Sequence, residues 1–249
     1  MPLRSPLPAS LLIAATLALT GPALAQDSAA PAAHDHSHDH DHDHDHDHDH
    51  DHDHDHDHDH AHDHAHARSP EAQAIYDGYF DDDQVKDRPL SDYAGDWQSV
   101  YPLLQDGTLA PVMDRKAQKG DQTAEEYTAY YRTGYATDTD RITIEGDMVT
   151  FYSDGTQVSG TYADDGHEIL TYARGNRGVR FIFAKTAGDA GAPAFIQFSD
   201  HGIAPARADH FHLYWGDDRA ALLEEVTNWP TYYPADMTPA QIVDEMLAH

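Results

Sequence analysis

The chain has no cysteine among its 249 residues, so it can form neither a disulfide nor a thiolate metal site. Any metal it holds must sit on His, Asp or Glu. Basic residues are scarce as well: 15 Lys and Arg against 45 Asp and Glu, a formal net charge of −30. That balance argues against nucleic acid or an anionic lipid surface as a partner and favours cations or a basic protein surface. Long apolar runs are missing too. The one sustained stretch, Leu11 to Leu19, is too short to cross a bilayer, and no membrane insertion is expected. There is no His-Glu-x-x-His sequence of the kind that builds a hydrolytic zinc centre.

The short apolar run has the context of an export signal. Arg4 supplies a positive start and Ala23-Leu24-Ala25 an A-x-A cleavage site. Residues 1–25 therefore read as a cleaved signal peptide, with the mature chain starting near Gln26 and working in a bacterial periplasm.

Residues 26–68 contain the most unusual composition. Every even position from 34 to 66 is histidine: His34, His36, His38, His40, His42, His44, His46, His48, His50, His52, His54, His56, His58, His60, His62, His64 and His66. That is seventeen of the chain's 22 histidines, mostly alternating with aspartate. Neutral imidazole is the commonest protein ligand for zinc-like ions. With no aromatic or branched aliphatic residue to bury, the tract has nothing to offset the entropy of ordering and is expected not to fold alone. Such a strand imposes no geometry, so Zn(II), Ni(II) and Cu(II) all compete for it. Repeats of this kind also occur as plain solvated tails.

Residues 69–249 make one domain's worth of chain. With the thirteen tract aspartates, Asp27 and Arg4 set aside, 31 acidic residues face 14 basic ones, Arg68 at the domain's edge included, and the domain is near −17. Three zones follow one another. Between Leu90 and Tyr135 the spacing predicts helices. Ser91 or Asp92 caps one that carries Trp97, Val100, Tyr101 and Leu104 and stops at Gly107. Thr123 and Glu126 form a capping box for another, with Tyr127, Tyr130 and Tyr131 as core or interface residues. From Arg141 to Tyr214 about seven short strands, with Thr156 to Tyr162 and Glu168 to Tyr172 among them, alternate with turn signals, including Glu145-Gly-Asp147 and Asp154-Gly155. A mainly β fold results, an up-and-down antiparallel barrel or a sandwich, with helices at both ends of the domain. The last zone returns to helix over Ala220 to Val226. It passes through Asn228 to Pro234 as a rigid aromatic turn and ends in a helix capped by Thr238.

The chemistry concentrates on Ser199-Asp-His201 and Asp209-His-Phe-His212. On a strand His210 and His212 point to one face while Phe211 and Leu213 point to the other. Cα atoms two apart lie about 6.5–7 Å from each other, close enough for two imidazoles to share one ion at about 2.0–2.1 Å. His201 ends the preceding strand, so three histidines are expected to meet at a barrel mouth and leave a fourth position open. Asp200 and Asp209 are the expected acceptors behind them. Gln197, Ser199, His210, His212 and Tyr214 share one alternation parity, which predicts a polar inward chamber. His167 reads as a solvated turn residue. His249, at the chain end, is at most an auxiliary ligand.

Leu90 to Tyr101, Gly175 to Arg180, Gln197 to His201, His210-Phe-His212 and Asn228 to Tyr233 together resemble the ZinT (YodA) family of periplasmic zinc- and cadmium-binding proteins. The resemblance runs over about residues 70–249. It implies a calycin-like, lipocalin-type β-barrel and a zinc site on His201, His210 and His212. It also implies a non-catalytic role, with Zn(II) or Cd(II) as cargo and the solute-binding protein of a zinc ABC importer as partner. Two rival readings remain at this stage: a zinc hydrolase using Asp200, Asp209 or Glu168 as base, and a carrier of a small organic ligand.

Overall fold

The computed structural model describes residues 68–248. The signal-peptide and His/Asp-tract expectations, and His249, lie outside these described residues.

Eight antiparallel strands close into a barrel in which each strand pairs with its neighbours in sequence and the last with the first. They are β1 Gly95–Ser99, β2 Thr139–Glu145, β3 Met148–Ser153, β4 Thr156–Thr171, β5 Arg177–Gly188, β6 Phe195–Ser199, β7 Phe211–Gly216 and β8 Thr231–Pro234. The helices are α1 Pro70–Tyr76, α2 Tyr101–Gln105, α3 Ala110–Lys119, α4 Ala124–Gly134, α5 Arg219–Glu224 and α6 Pro239–Ala248. Among the described residues no helix is long and apolar enough to cross a membrane.

The barrel is filled, not hollow. One buried cluster draws side chains from all eight strands, among them Trp97, Ile142, Phe151, Tyr162, Phe181, Phe198, Phe211, Leu213 and Tyr232. Eight strands give an interior just wide enough for side chains to occupy. A second cluster of Val100, Leu104, Leu109, Met113, Tyr127, Tyr135, Tyr233 and Ile242 lies between helices and the outer wall.

Local turn chemistry forms as the residue types dictate. Asp154 and Gly155 both take positive φ, 48° and 74°, the mirror-image turn that Asp-Gly favours between paired strands. Thr123 and Glu126 cap α4 reciprocally, and Thr238 with Gln241 does the same for α6.

Three expectations change. The helix expected to carry Trp97 is a 3-10 turn at Leu90–Tyr93, then β1, then α2. Its apolar residues do not share a face, because Trp97 fills the barrel while Val100 and Leu104 join the helical cluster. The aromatic turn at Asn228 to Pro234 contains β8, whose Tyr232 points into the barrel and whose Tyr233 points out. The two strands expected at Thr156–Tyr162 and Glu168–Tyr172 are one long β4. A bulge between Asp164 and His167, with Gly166 at φ 80°, takes the place of the turn.

Candidate metal site

Pairing register puts the polar residues on the outer wall. Phe198, Phe211 and Leu213 belong to the filled interior, so Gln197, Ser199, His212 and Tyr214 face outward. The inward polar chamber is therefore corrected to an outer-wall site at the barrel end where β6 leaves and β7 begins. Phe198 pairs with Leu213 and Ser199 with His212, and the loop between the strands brings His201 back beside His210.

The three rings are adjacent. The centroids of His201 and His210 are 5.7 Å apart, and those of His210 and His212 6.3 Å. Two imidazoles on one tetrahedral zinc have centroids about 5 Å apart, given Zn–N bonds of about 2.0–2.1 Å. The two spacings here exceed that by about 1 Å. Among the described residues no group of three or more His, Asp or Glu side chains stands close enough, as placed, to hold a metal ion.

Their outer nitrogens fix what the inner ones can do. His201 Nδ1 lies 3.1 Å from the Tyr76 carbonyl, which can only accept, so Nδ1 carries the proton. His212 Nδ1 lies 2.8 Å from Thr231 Oγ1, whose own hydrogen goes to the Trp229 carbonyl. That hydroxyl must accept from His212, again placing the proton on Nδ1. His210 Nδ1 faces Glu245 Oε1 at 3.5 Å. Each ring is thus anchored or approached at Nδ1, and in His201 and His212 the lone pair falls on Nε2, the arrangement found behind metal-binding histidines. Although His212 keeps some surface open to solvent, burial holds its pKa well below the usual imidazole range, with His210, His201 and Arg180 adding to the effect. The ring is therefore in its neutral, ligating form at neutral pH. Two rings are also held by face: Tyr76 stacks on His201 at 3.8 Å and Tyr233 on His210 at 4.8 Å. Tyr76 is itself pushed up to about 12, chiefly by burial.

Asp200 does not stand behind a histidine. Its two oxygens lie 2.7 Å from Nη1 of the buried Arg88, which also reaches Asp92 and the Ala206 carbonyl. Asp92 in turn accepts from the Ala206 amide. Arg88 therefore staples the start of the loop from His201 to His210 to its middle. Asp209 is exposed. The acceptors behind the site are the Tyr76 carbonyl and the Thr231 hydroxyl instead, with the Glu245 carboxylate approaching His210, and sequence spacing could not find them because α1, β8 and α6 meet only in the folded chain. His167 is likewise not a free turn residue: it sits at the β4 bulge with Nδ1 2.5 Å from Asp87. Glu168 is paired with Arg219.

Comparison with known proteins finds zinc- and metal-binding relatives. A family model described as ZinT (YodA) periplasmic lipocalin-like zinc-recruitment matches residues 71–249. The probable metal-binding protein YrpE of Bacillus subtilis (strain 168) is 59% identical over 180 residues, 72% of each chain. The zinc-binding lipoprotein AdcA of Streptococcus pneumoniae is 50% identical over 184 residues, 73% of this chain but 37% of AdcA. The crystal structure of the Zn(II)-bound ZinT-like domain of Streptococcus pneumoniae AdcA superposes with a TM-score of 0.68 at 51% identity, covering 70% of this chain and 97% of that domain.

Proposed function

Because the chain belongs to the ZinT (YodA) family, we propose that it is a periplasmic zinc-binding protein that holds one Zn(II) on the Nε2 atoms of His201, His210 and His212. The observation that carries this reading is the anchoring of the rings at Nδ1, above all the hydroxyl relay that fixes His212. A fourth position is left for water or another ligand, and Cd(II) is a second cargo suited to imidazole ligation. Zinc-binding names among the relatives support the metal.

The His/Asp tract then acts as a collector. About forty residues of polar chain give a reach of order 35 Å, so metal held there is kept at high effective concentration beside the barrel. Cleavage after Ala25 delivers both parts to the periplasm, where zinc passes to the solute-binding protein of a zinc ABC importer. A buffer without handover is the alternative, and a transfer assay with that partner separates the two.

Catalysis is disfavoured by the surroundings of the site. Two of the expected bases are committed elsewhere, Asp200 to Arg88 and Glu168 to Arg219. Carriage of an organic ligand is disfavoured by the filled barrel.

Zinc titration against a strong competing chelator tests the reading. A chain lacking residues 26–68 is expected to keep one tight zinc and lose the weaker class; loss of the tight zinc in that chain would refute the barrel site. Thr231→Val removes the acceptor that orients His212 and is expected to weaken the tight zinc about 10–100-fold. A change under threefold in the same titration would show that the relay does not matter.

A further inference from the structure

Glu245 occupies a position that zinc ligation alone does not require. It sits in the last turn of α6, and its Oε2 accepts the Tyr233 hydroxyl at 2.5 Å while its Oε1 lies 3.5 Å from His210 Nδ1. The Tyr233 ring stacks on His210 with an interplanar angle of 11°. One carboxylate and one phenol therefore hold the same imidazole by its edge and its face. Burial and the adjacent carboxylate keep the Tyr233 hydroxyl protonated, so it remains a donor to Glu245. At 3.5 Å the His210–Glu245 approach is longer than a hydrogen bond, and a closure of about 0.6 Å would make it one. The rest of α6 is lightly anchored: Ile242 is its single fully buried side chain among the described residues. The helix packs against α3 and contributes Val243, Met246 and Leu247 to the edge of the outer cluster.

We propose that Glu245 is a positioning residue that couples zinc occupancy at His210 to the seating of the C-terminal turn of α6. A cation on Nε2 draws electron density from the ring and makes Nδ1–H a stronger donor. The contact to Glu245 closes into a charge-assisted hydrogen bond, and α6 is drawn onto the outer wall. Tyr233 holds the other carboxylate oxygen, so the pull reaches the helix instead of merely rotating the side chain. The last helix thereby reports whether the site is loaded, giving a partner a surface that differs between empty and filled protein. This inference rests on the zinc reading above.

Hydrogen–deuterium exchange on the full chain, with and without one equivalent of Zn(II), reads the coupling directly. Zinc is expected to slow the amides of Asp244 to Ala248 by about tenfold, the worth of one charge-assisted hydrogen bond. In Glu245→Gln that slowing disappears and zinc binds about 10–100-fold more weakly. The metal-free thermal midpoint stays near that of the parent, which a purely structural role would not allow. The visible bands of the Co(II)-loaded protein shift in the same variant, because the ligand field at His210 changes. Unchanged α6 exchange in the parent chain, or parent-like zinc affinity in Glu245→Gln, overturns the proposal. The parent comparison needs no variant and decides the matter alone if Glu245→Gln fails to fold. Absence of tight zinc in the parent would instead overturn the metal site itself.

Discussion

Replacing His210 with alanine is expected to weaken the tight zinc by about 10²–10³-fold, the largest functional effect of any single substitution in this chain. Zinc sites built from protein side chains are worth about 10–16 kcal/mol, so each ligand accounts for roughly 3–4 kcal/mol. His210 is the central ring, with His201 at 5.7 Å and His212 at 6.3 Å. Without it only His201 and His212 remain, one imidazole short of the proposed set. The zinc-induced gain in stability shrinks in step, by about 3–4 kcal/mol at a fixed excess of metal. Calorimetric melting with and without zinc measures that gain, and chelator competition measures the affinity. His167→Ala serves as the comparison, since that ring is engaged with Asp87 and is not among the three. A His210→Ala protein that keeps its tight zinc within threefold would remove the three-histidine assignment.

The three neighbouring histidines proposed as ligands were legible in the sequence because they are local. His210-x-His212 needs only strand alternation, and His201 needs only a loop short enough to return. Turn and cap chemistry was legible for the same reason, since Asp154-Gly155 and Thr123 with Glu126 act within four residues. The face was not legible. Alternation says which residues share a side but not whether that side is lumen or outer wall, and both sides of β6 and β7 are buried here. One packs in the barrel and the other lies toward α5, where Gln197 donates to the Arg219 carbonyl. Trp97 and Val100 mislead in the same way, because two cores placed on either side of a strand end imitate the stripe of one helix. The residues behind the ligands, Tyr76, Thr231 and Glu245, come from distant parts of the chain and carry no local signature.

Arg88→Met is expected to cost about 3–5 kcal/mol of stability, the largest structural effect, because it strands buried carboxylates without their cation. The side chains of Arg88 and Asp200 are 1% and 6% exposed, so solvent cannot take over the lost contacts. Arg88 spans two carboxylates and the Ala206 carbonyl at once, and its guanidinium lies over the Tyr93 ring at 4.7 Å. For a domain of this size the loss lowers the melting midpoint by roughly 10 °C. Arg88→Lys should recover little of it, since a single ammonium cannot serve three acceptors held in a guanidinium's geometry. The same substitution should reach the metal. Asp200 precedes His201, and Ala206 lies midway along the loop to His210, so losing the staple lets the two rings drift apart and zinc affinity falls with stability. Thermal melting of both variants, followed by zinc competition below their midpoints, separates the two effects. A loss under about 1 kcal/mol in Arg88→Met would mean that the loop between the ligands is held by something other than this buried cation.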